Sequence, residues 1–324
     1  MKLINKEIGG YFGLELKNKG EYYPDAIKLN SGRNCFKYII ISQNISKVYL
    51  PYYIDMGMKE DSIRELTKIE FYHINQNFEI EEDIKLKKNE KLLYVNYYSL
   101  KNKYIKKLID IYGTQLIIDN TQSFFSPPEE GIDTIYSLDS KFFGVQSGGY
   151  LFTKNLLNIE LEQDYSYDRI THLIGRLDKS AKDFYDEYKI SMKKRYNQPI
   201  KHMSKLTEHI LQSIDYDHIK MVREKNFNYI HNYLKNRNEL ILDQFNISGP
   251  FTYPFLIKKD GMREILIENR IYIPTYWQYL LDIEGPNEWE KKLSKYLLPI
   301  PIDQRYNLND MQRIISILSK ALKL

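Results

Sequence analysis

Two residue types that support amine chemistry follow neighbouring apolar runs in the middle of this chain. Asp119 closes the run LIID, and Lys141 comes four residues after the run DTIYS. A lysine amine can form a Schiff base with an aldehyde, and a carboxylate can stabilise a protonated ring nitrogen. The pair therefore predicts pyridoxal phosphate chemistry. Taken singly, each residue has a simpler interpretation, as a surface lysine after a strand and as an aspartate that caps a turn.

A glycine-containing segment nearer the amino terminus is a candidate for binding the phosphate of such a cofactor. In LNSGRNCF (29–36), Gly32 and Arg33 stand at the start of a predicted helix, where free backbone amides attract anions. Ser137, four residues before Lys141, could add a hydroxyl to the same phosphate. The alternative is an ordinary junction between a loop and a helix, and only the combination with Lys141 favours the phosphate.

Three further side chains are candidates for contacts with the cofactor ring. Tyr52 and Tyr53 follow the predicted strand KVYLP, where one ring could stack on a flat cofactor. Gln122 comes three residues after Asp119 and could contact the ring or cap the following turn. Core packing is the alternative for both tyrosines.

Composition excludes several classes of protein. The 324 residues carry a net charge of +4 spread along the chain, without the basic stripe typical of nucleic-acid or membrane-surface binding. Cys35 is the single cysteine, and no apolar run approaches the roughly 20 residues of a membrane span, so we expect a cytoplasmic protein. The six histidines show no metal-ligand spacing, and we expect no metal site. Motifs of serine hydrolases, Walker-type nucleotide binding and dinucleotide binding are absent.

Alternating apolar and amphipathic runs between residues 30 and 153 predict an α/β fold with a mostly parallel sheet. The predicted strands are 47–51, 68–74, 91–97, 115–119, 133–137 and 149–153. The predicted helices are 34–43, 58–67 and 101–113, the last ending at Gly113. After residue 165, long amphipathic stretches predict helices, followed by a small α+β unit. We place the boundary so that residues 1–215 form a large domain and 216–324 a small carboxyl-terminal domain.

The order of these motifs resembles that of the DegT-type sugar aminotransferases, pyridoxal phosphate enzymes of fold type I. The resemblance spans residues 30–320 and rests on the segments SGRNCF, PYYIDM, LIIDNTQ, YSLDSKFFGVQSGGYLF, PIKHMSKLTEHIL and YLLPIPIDQRY. It implies a large cofactor-binding domain, whose mixed but mostly parallel sheet is flanked by helices, and a small carboxyl-terminal α+β domain. It also implies a homodimer with shared active sites, in which the MSKLTEHIL helix reaches the partner's site.

The resemblance implies a role for each cofactor candidate. Lys141 would form the Schiff base and carry the proton between substrate and cofactor carbons, and Asp119 would hold the pyridinium. The backbone amides of Gly32 and Arg33 would bind the phosphate together with Ser137. The remaining implied roles are a place beside the ring for Gln122 and ring stacking for Tyr53, with Tyr52 as its rival.

The same resemblance implies an aminotransferase that moves an amino group from an amino acid, with glutamate as the expected donor, to a keto group of a sugar or other small polar acceptor. Lys201, Tyr276 and Arg305 are the candidate substrate contacts. The chain departs from the family near Lys201, where an arginine is usual, at Ser147, where an acid is usual, and at Arg33, where a small hydroxyl residue is usual. Those departures leave open a decarboxylase, racemase or lyase, or a non-catalytic binding protein. A branch with histidine in place of the lysine performs dehydration, and Lys141 argues against it.

Overall fold

A seven-stranded sheet forms the centre of the computed structural model, which describes residues 8–138, 141–242 and 247–323. The strand order is β1-β7-β6-β5-β4-β2-β3, and within the described ranges only β7 runs antiparallel to both neighbours. This confirms the predicted mostly parallel, mixed sheet. The strands are β1 (Ile27–Leu29), β2 (Lys47–Pro51), β3 (Lys68–Tyr72), β4 (Glu90–Val95), β5 (Leu116–Asp119), β6 (Asp133–Ser137) and β7 (Gly149–Phe152).

Helices follow strands β1, β2 and β4, and further helices lie in the carboxyl-terminal part of the chain. They are α1 (Gly32–Ser42), α2 (Asp61–Arg64), α3 (Asn102–Tyr112), α4 (Thr171–Asp178), α5 (Tyr185–Lys193), α6 (Lys205–Gln212), α7 (Tyr216–Leu234), α8 (Met262–Glu268), α9 (Glu288–Tyr296) and α10 (Leu308–Leu322). Ser31 caps α1 by accepting the amide of Asn34, and α3 ends at Gly113, which has a positive φ of 50°. Within the described ranges, no helix has the length and apolar content that a membrane crossing requires.

All six predicted strands of the first half are present, and the structure differs from the prediction in one helix and in one additional strand. The predicted helix 58–67 is divided into a 3-10 turn, Met56–Lys59, and the four-residue α2. Strand β1 was not predicted, because three residues are too few to show a period. It is a strand because it pairs antiparallel with β7, in the register Leu29 to Gly149.

A second hydrophobic cluster lies in the carboxyl-terminal part. The antiparallel strands β8 (Tyr253–Leu256) and β9 (Leu297–Ile300) pack against α7, α8 and α10, with Phe227, Phe255 and Leu318 fully buried between them. A large cluster around the central sheet takes in the aromatic residues of the first half and also Tyr216 at the start of α7. The domain boundary after residue 215 stays a prediction.

Candidate active site

The carboxyl ends of the parallel strands meet at one edge of the sheet, where open α/β folds place their ligands. A cavity of about 400 Å³ opens there, next to the ends of β4, β5 and β6. Its walls bring together most of the predicted site: Gly32, Arg33, Asp119, Gln122, Ser137, Lys141 and Tyr276. The parallel arrangement explains this gathering, since each strand of a parallel sheet delivers its last residue to the same edge.

Lys141 lies in the loop after β6, with its Nζ 3.5 Å from Ser137 Oγ. Burial lowers the pKa of the lysine, and the positive charge of Arg33 lowers it further. The carboxylates of Asp55 and Asp119 oppose this shift by stabilising the ammonium form. The balance leaves the pKa below its ordinary value, so the uncharged amine, the form that attacks a carbonyl, is more populated than in an exposed lysine.

Asp119 ends β5 with its carboxylate in the cavity wall, although only 5% of the residue is exposed. Its Oδ1 accepts the backbone amide of Thr121 at 2.9 Å. Burial raises the pKa of the carboxyl, whereas the bonds from Thr121 and the charge of Lys141 lower it. A cation placed against this carboxylate would relieve the cost of burying its charge, which is what a protonated pyridine nitrogen does.

The start of α1 is an open anion cradle because residue 32 is a glycine. A Cβ at Gly32 would lie 2.8 Å from Ser137 Cβ, so any side chain there would push the two segments apart. The close approach keeps the Ser137 hydroxyl beside the free amides of the first turn of this eleven-residue helix. These groups suit the phosphate of pyridoxal phosphate, as Lys141 and Asp119 suit its aldehyde and ring nitrogen.

The glycine pair after Lys141 brings β7 against the same helix start. A Cβ at Gly149 would lie 2.7 Å from Cys35 Sγ and equally close to the carbonyl of Ser31. The amide of Gly148 donates to Asn30 O at 3.0 Å. The sequence motif is thus explained by packing, because only glycine lets the edge of the sheet support the cradle.

The other cofactor candidates are divided between the cavity and the core. Gln122 lines the cavity and accepts the amide of Tyr98 at 3.0 Å, which fixes its orientation. Tyr53 is outside the lining: its ring is fully buried, edge-on to Trp277 at 4.1 Å, and its hydroxyl lies 3.1 Å from that of Tyr98. Tyr52 also lies outside, stacked on Phe71 at 5.1 Å.

The turn after β2 directs different residues into the cavity. Ile54 and Asp55 line it in place of the two tyrosines. The structure therefore does not bring Tyr53 into the lining of the cavity, because the chain packs this ring into the aromatic core beneath it.

Of the three predicted substrate contacts, one lies in this cavity. Tyr276 lines it, whereas Lys201 forms an ion pair with Glu162 at 2.7 Å and is absent from its walls. Arg305 pairs with Asp303, with Nε to Oδ1 at 2.7 Å, and lines a neighbouring cavity. Lys201 and Arg305 are thus not brought to the group around Asp119.

Sequence reasoning missed Arg195, which follows α5 and lines the cavity with only 8% of the residue exposed. Burial and the nearby Arg33 lower its pKa to about 10. Arg33 itself pairs with Glu60 and lies 4.5 Å from the ring centre of Tyr196, so its side chain is held to one side. No local pattern points to Arg195, since it stands in a run of lysines and arginines typical of a solvated surface.

The carboxyl-terminal part holds the main chain at Lys141, which sequence reasoning also missed. Gln304 Nε2 donates to Phe142 O at 2.8 Å. Arg223, fully buried on α7, donates to the carbonyls of Lys141 and Phe142 at 3.4 and 3.5 Å. The two parts of the chain therefore cooperate in placing the lysine.

No family model matches the sequence, and no curated protein matches it. Solved structures do match in fold. The aminotransferase TlmJ from Streptoalloteichus hindustanus has a TM-score of 0.67 at 14% identity, over 92% of this chain and 86% of that chain. A DegT DnrJ EryC1 StrS aminotransferase from Brucella abortus has a TM-score of 0.61 at 13% identity, over 91% and 85%.

A third match has another activity. The E coli GDP-4-keto-6-deoxy-D-mannose-3-dehydratase, solved with bound hydrated PLP, has a TM-score of 0.60 at 16% identity, over 93% of this chain and 88% of that chain. Likeness at these identities shows the fold alone. The chain therefore has the α/β fold of the fold type I pyridoxal phosphate transferases.

Proposed function

We propose that this protein is a pyridoxal-phosphate-dependent aminotransferase of the DegT type. It transfers the amino group of an amino acid, with glutamate as the donor, to a keto group of a sugar or other small polar acceptor. The observation that carries the proposal is the single cavity lined by Lys141, Asp119 and the Gly32 cradle. The similar folds of an aminotransferase from Brucella abortus and of TlmJ support it.

Five residues would hold the phosphate, the ring nitrogen and the aldehyde of the cofactor. The amides of Gly32 and Arg33 and the hydroxyl of Ser137 would bind its phosphate, Asp119 would hold its ring nitrogen, and Lys141 would be its amine partner. Pyridoxal phosphate, when bound, supplies an aldehyde that amines attack and a ring that withdraws electrons from the substrate carbon. The positive helix start and the buried carboxylate orient its two ends.

Lys141 has two tasks in this proposal. Its Nζ, whose uncharged form burial favours, would hold the aldehyde of the cofactor covalently. The same Nζ would move the proton at the substrate carbon that carries the amino group. Asp119 would stay ionised to hold the ring nitrogen, and Gln122 would support the ring from the side.

The substrate end of the cavity has aromatic and cationic walls. Tyr276, Trp277 and Phe251 line it together with Arg195. We propose Tyr276 and Arg195 as substrate contacts, because a buried guanidinium suits the carboxylate of an amino donor. Lys201 and Arg305 have no place in this cavity.

Because the dehydratase has a similar fold, the fold alone does not determine the reaction, and we propose that the residues of the site do. A lysine at position 141 favours transamination over the dehydration carried out with histidine. Purified protein should show visible absorbance with added pyridoxal phosphate, and borohydride should fix the pyridoxyl group on the peptide that contains Lys141. Lys141→Ala should abolish both signals, whereas Lys154→Ala, at an exposed lysine, should keep them.

The reaction type has a separate test. Glutamate alone should convert the bound cofactor to its amine form in a single turnover. Unchanged absorbance with glutamate and with other amino acids would refute transamination, and wild-type protein that stays colourless with added cofactor would refute the whole proposal.

We further propose a cytoplasmic homodimer with shared active sites, and a large domain that ends at residue 215. The dimer proposal rests on the resemblance to the DegT-type enzymes. Light scattering should give twice the mass of the 38.8 kDa chain. A monomer with full activity would refute the sharing of sites.

A further inference from the structure

The chain that leads from α5 to α6 crosses the amino-terminal end of α1, which carries the proposed phosphate cradle. Pro199 O accepts the side-chain amides of Asn30 and Asn34 at 3.0 and 2.8 Å. Three residues earlier, Tyr196 lines the cavity of the candidate active site, and residues of α5 line it too. Residues 185–196 therefore form one wall of this cavity beside the cradle, and we call them the α5 wall.

The α5 wall buries little of its own surface. Of the nine residues of α5, all of which the structure describes, only Ser191 is buried. Its hydroxyl donates to Arg169 O at 2.9 Å, and its carbonyl accepts Gln146 Nε2 at 3.3 Å. Neither bond joins the wall to α1. Because a segment with so little buried surface opens at a low free-energy cost, each contact that holds it in place has a measurable effect.

Arg33 joins this wall to α1 and to the turn after β2. Its Cζ lies 4.5 Å from the centre of the Tyr196 ring, within the range of a cation–π interaction. The same guanidinium forms an ion pair with Glu60, whose side chain is only 10% exposed. A Cβ at Gly57 would lie 2.7 Å from Arg33 Nε, so the absence of a side chain there leaves room for the guanidinium. Arg33 thus connects three segments that meet at the cradle.

The proposed chemistry does not use the side chain of Arg33, because its part in the cradle belongs to its backbone amide. A guanidinium in the same cavity wall as Lys141 is unfavourable, since like charges repel. The ion pair with Glu60 compensates this charge and leaves the flat face of the guanidinium for the ring of Tyr196. The side chain therefore has a task other than binding the phosphate.

We propose that Arg33 is a positioning residue that fastens the α5 wall across the phosphate cradle through the ring of Tyr196, and so retains the cofactor in the cavity. The retention of the cofactor rests on the proposed function, whereas the fastening of the wall does not. With Arg33 in place, the cofactor leaves only when the wall moves away from the cradle. Without this contact the wall opens more often, and bound cofactor escapes faster.

Hydrogen exchange of the cofactor-free, full-length protein, followed by mass spectrometry, tests the fastening. Arg33→Met keeps the backbone amide of the cradle and should make the amides of residues 185–198 exchange about three- to thirtyfold faster, the range expected from the loss of one cation–π interaction. Tyr196→Leu should have the same effect. The double variant should add little to either change, because both single variants remove the same contact.

Two further variants serve as controls. Tyr196→Phe keeps the ring, so its exchange should match that of wild type. Lys295→Met removes a similar contact on α9, where the lysine Nζ lies 4.8 Å from the ring centre of Tyr296 and outside the cavity. This variant should leave the exchange of residues 185–198 unchanged.

The retention has its own measurement. Protein loaded with pyridoxal phosphate is dialysed, and the loss of its visible absorbance gives the rate of cofactor dissociation. Arg33→Met and Tyr196→Leu should raise this rate about three- to thirtyfold, whereas Tyr196→Phe and Lys295→Met should not change it.

The outcomes separate this inference from the proposed function. Equal exchange of residues 185–198 in wild type and Arg33→Met overturns the fastening, and so does faster exchange throughout the central sheet, which would mean a general loss of stability. Faster exchange of the wall with an unchanged rate of cofactor loss overturns the retention and leaves the proposed function standing. Wild-type protein that takes up no cofactor refutes the proposed function and with it the retention, while the exchange rates still decide the fastening.

Discussion

Replacing Asp119 by asparagine is expected to stabilise the cofactor-free protein while weakening cofactor binding. Asparagine keeps the shape and the Oδ1 acceptor for Thr121 but carries no charge. Burial raises the pKa of Asp119 above its ordinary value of 3.8, so the folded state holds the proton more tightly than the unfolded state. The contribution of the protonated carboxyl to the free energy of unfolding is therefore lost as the pH rises through the pKa of Asp119 in the folded state.

At pH 7 the cofactor-free Asp119→Asn variant should thus have a higher Tm than wild type. The difference should vanish as pH falls below 3.8, where wild type is protonated in both states. Cofactor affinity should change in the opposite direction. A hydrogen bond to a charged group contributes about 1.5–3 kcal/mol, so pyridoxal phosphate should bind about ten- to a hundredfold more weakly. Scanning calorimetry and an absorbance titration measure the two effects.

Asp133→Asn is the matched control, a buried carboxylate at the start of β6 and outside the cavity. Asp133 forms an ion pair with Lys91 and accepts Gln43 Nε2 at 2.8 Å. Its neutralisation leaves a buried lysine without its charge partner, which costs about 3–5 kcal/mol, and cofactor affinity should not change. If Asp119→Asn lowered the Tm as this control does, or left cofactor affinity unchanged, the reasoning on Asp119 would be refuted.

Three further predictions test neighbouring parts of the site. Because the charge of Asp55 raises the pKa of Lys141, Asp55→Asn should lower that pKa and shift the pH profile of cofactor capture to lower pH, measured by stopped-flow absorbance. Gly149→Ala places a Cβ 2.7 Å from Cys35 Sγ and should lower the free energy of unfolding by about 1–3 kcal/mol in urea titrations. Tyr53→Phe should leave cofactor affinity unchanged and cost about 1 kcal/mol of stability from the lost hydroxyl bond.

Each of these variants has an exposed counterpart that should have no effect. Asp61→Asn is the counterpart of Asp55→Asn, and Tyr11→Phe is the counterpart of Tyr53→Phe. Gly13→Ala is the counterpart of Gly149→Ala, and nothing lies within 4 Å of the Cβ that it adds. A pH profile of Asp55→Asn that matched wild type would contradict the assigned coupling to Lys141. A tenfold loss of cofactor affinity in Tyr53→Phe would mean that this tyrosine acts in the site despite its burial.

The central sheet was predictable from the sequence because its signals are local. Runs such as KVYLP and LIID are short, apolar and bounded by turn residues, and they form β2 and β5 where expected. Gly113 ends α3 as a helix-terminating glycine does. The division of the predicted helix 58–67 was not predictable, since its apolar spacing continues across the break at Glu60.

In the candidate site too, some residue positions were predictable from the sequence and others were not. Asp119 and Lys141 line one cavity because parallel strands bring their ends to one edge, so order along the chain is enough to predict that they meet. Tyr53 lies outside that cavity, because the direction of a side chain after a strand depends on what packs beneath it. Here the ring of Tyr53 packs against the rings of Tyr97 and Trp277 in the core.

The sequence by itself determined the α/β pattern and the residue types for an amine, an acid and an anion cradle, because these depend on neighbours in the chain. Only the tertiary structure decided which basic side chains line the cavities that Lys141 borders. Arg195 follows α5, His172 lies on α4 and Arg223 on α7, and their burial depends on contacts between residues far apart in sequence. Charge and desolvation act through space, so the pKa of Lys141 and the cavity beside it follow from the folded arrangement.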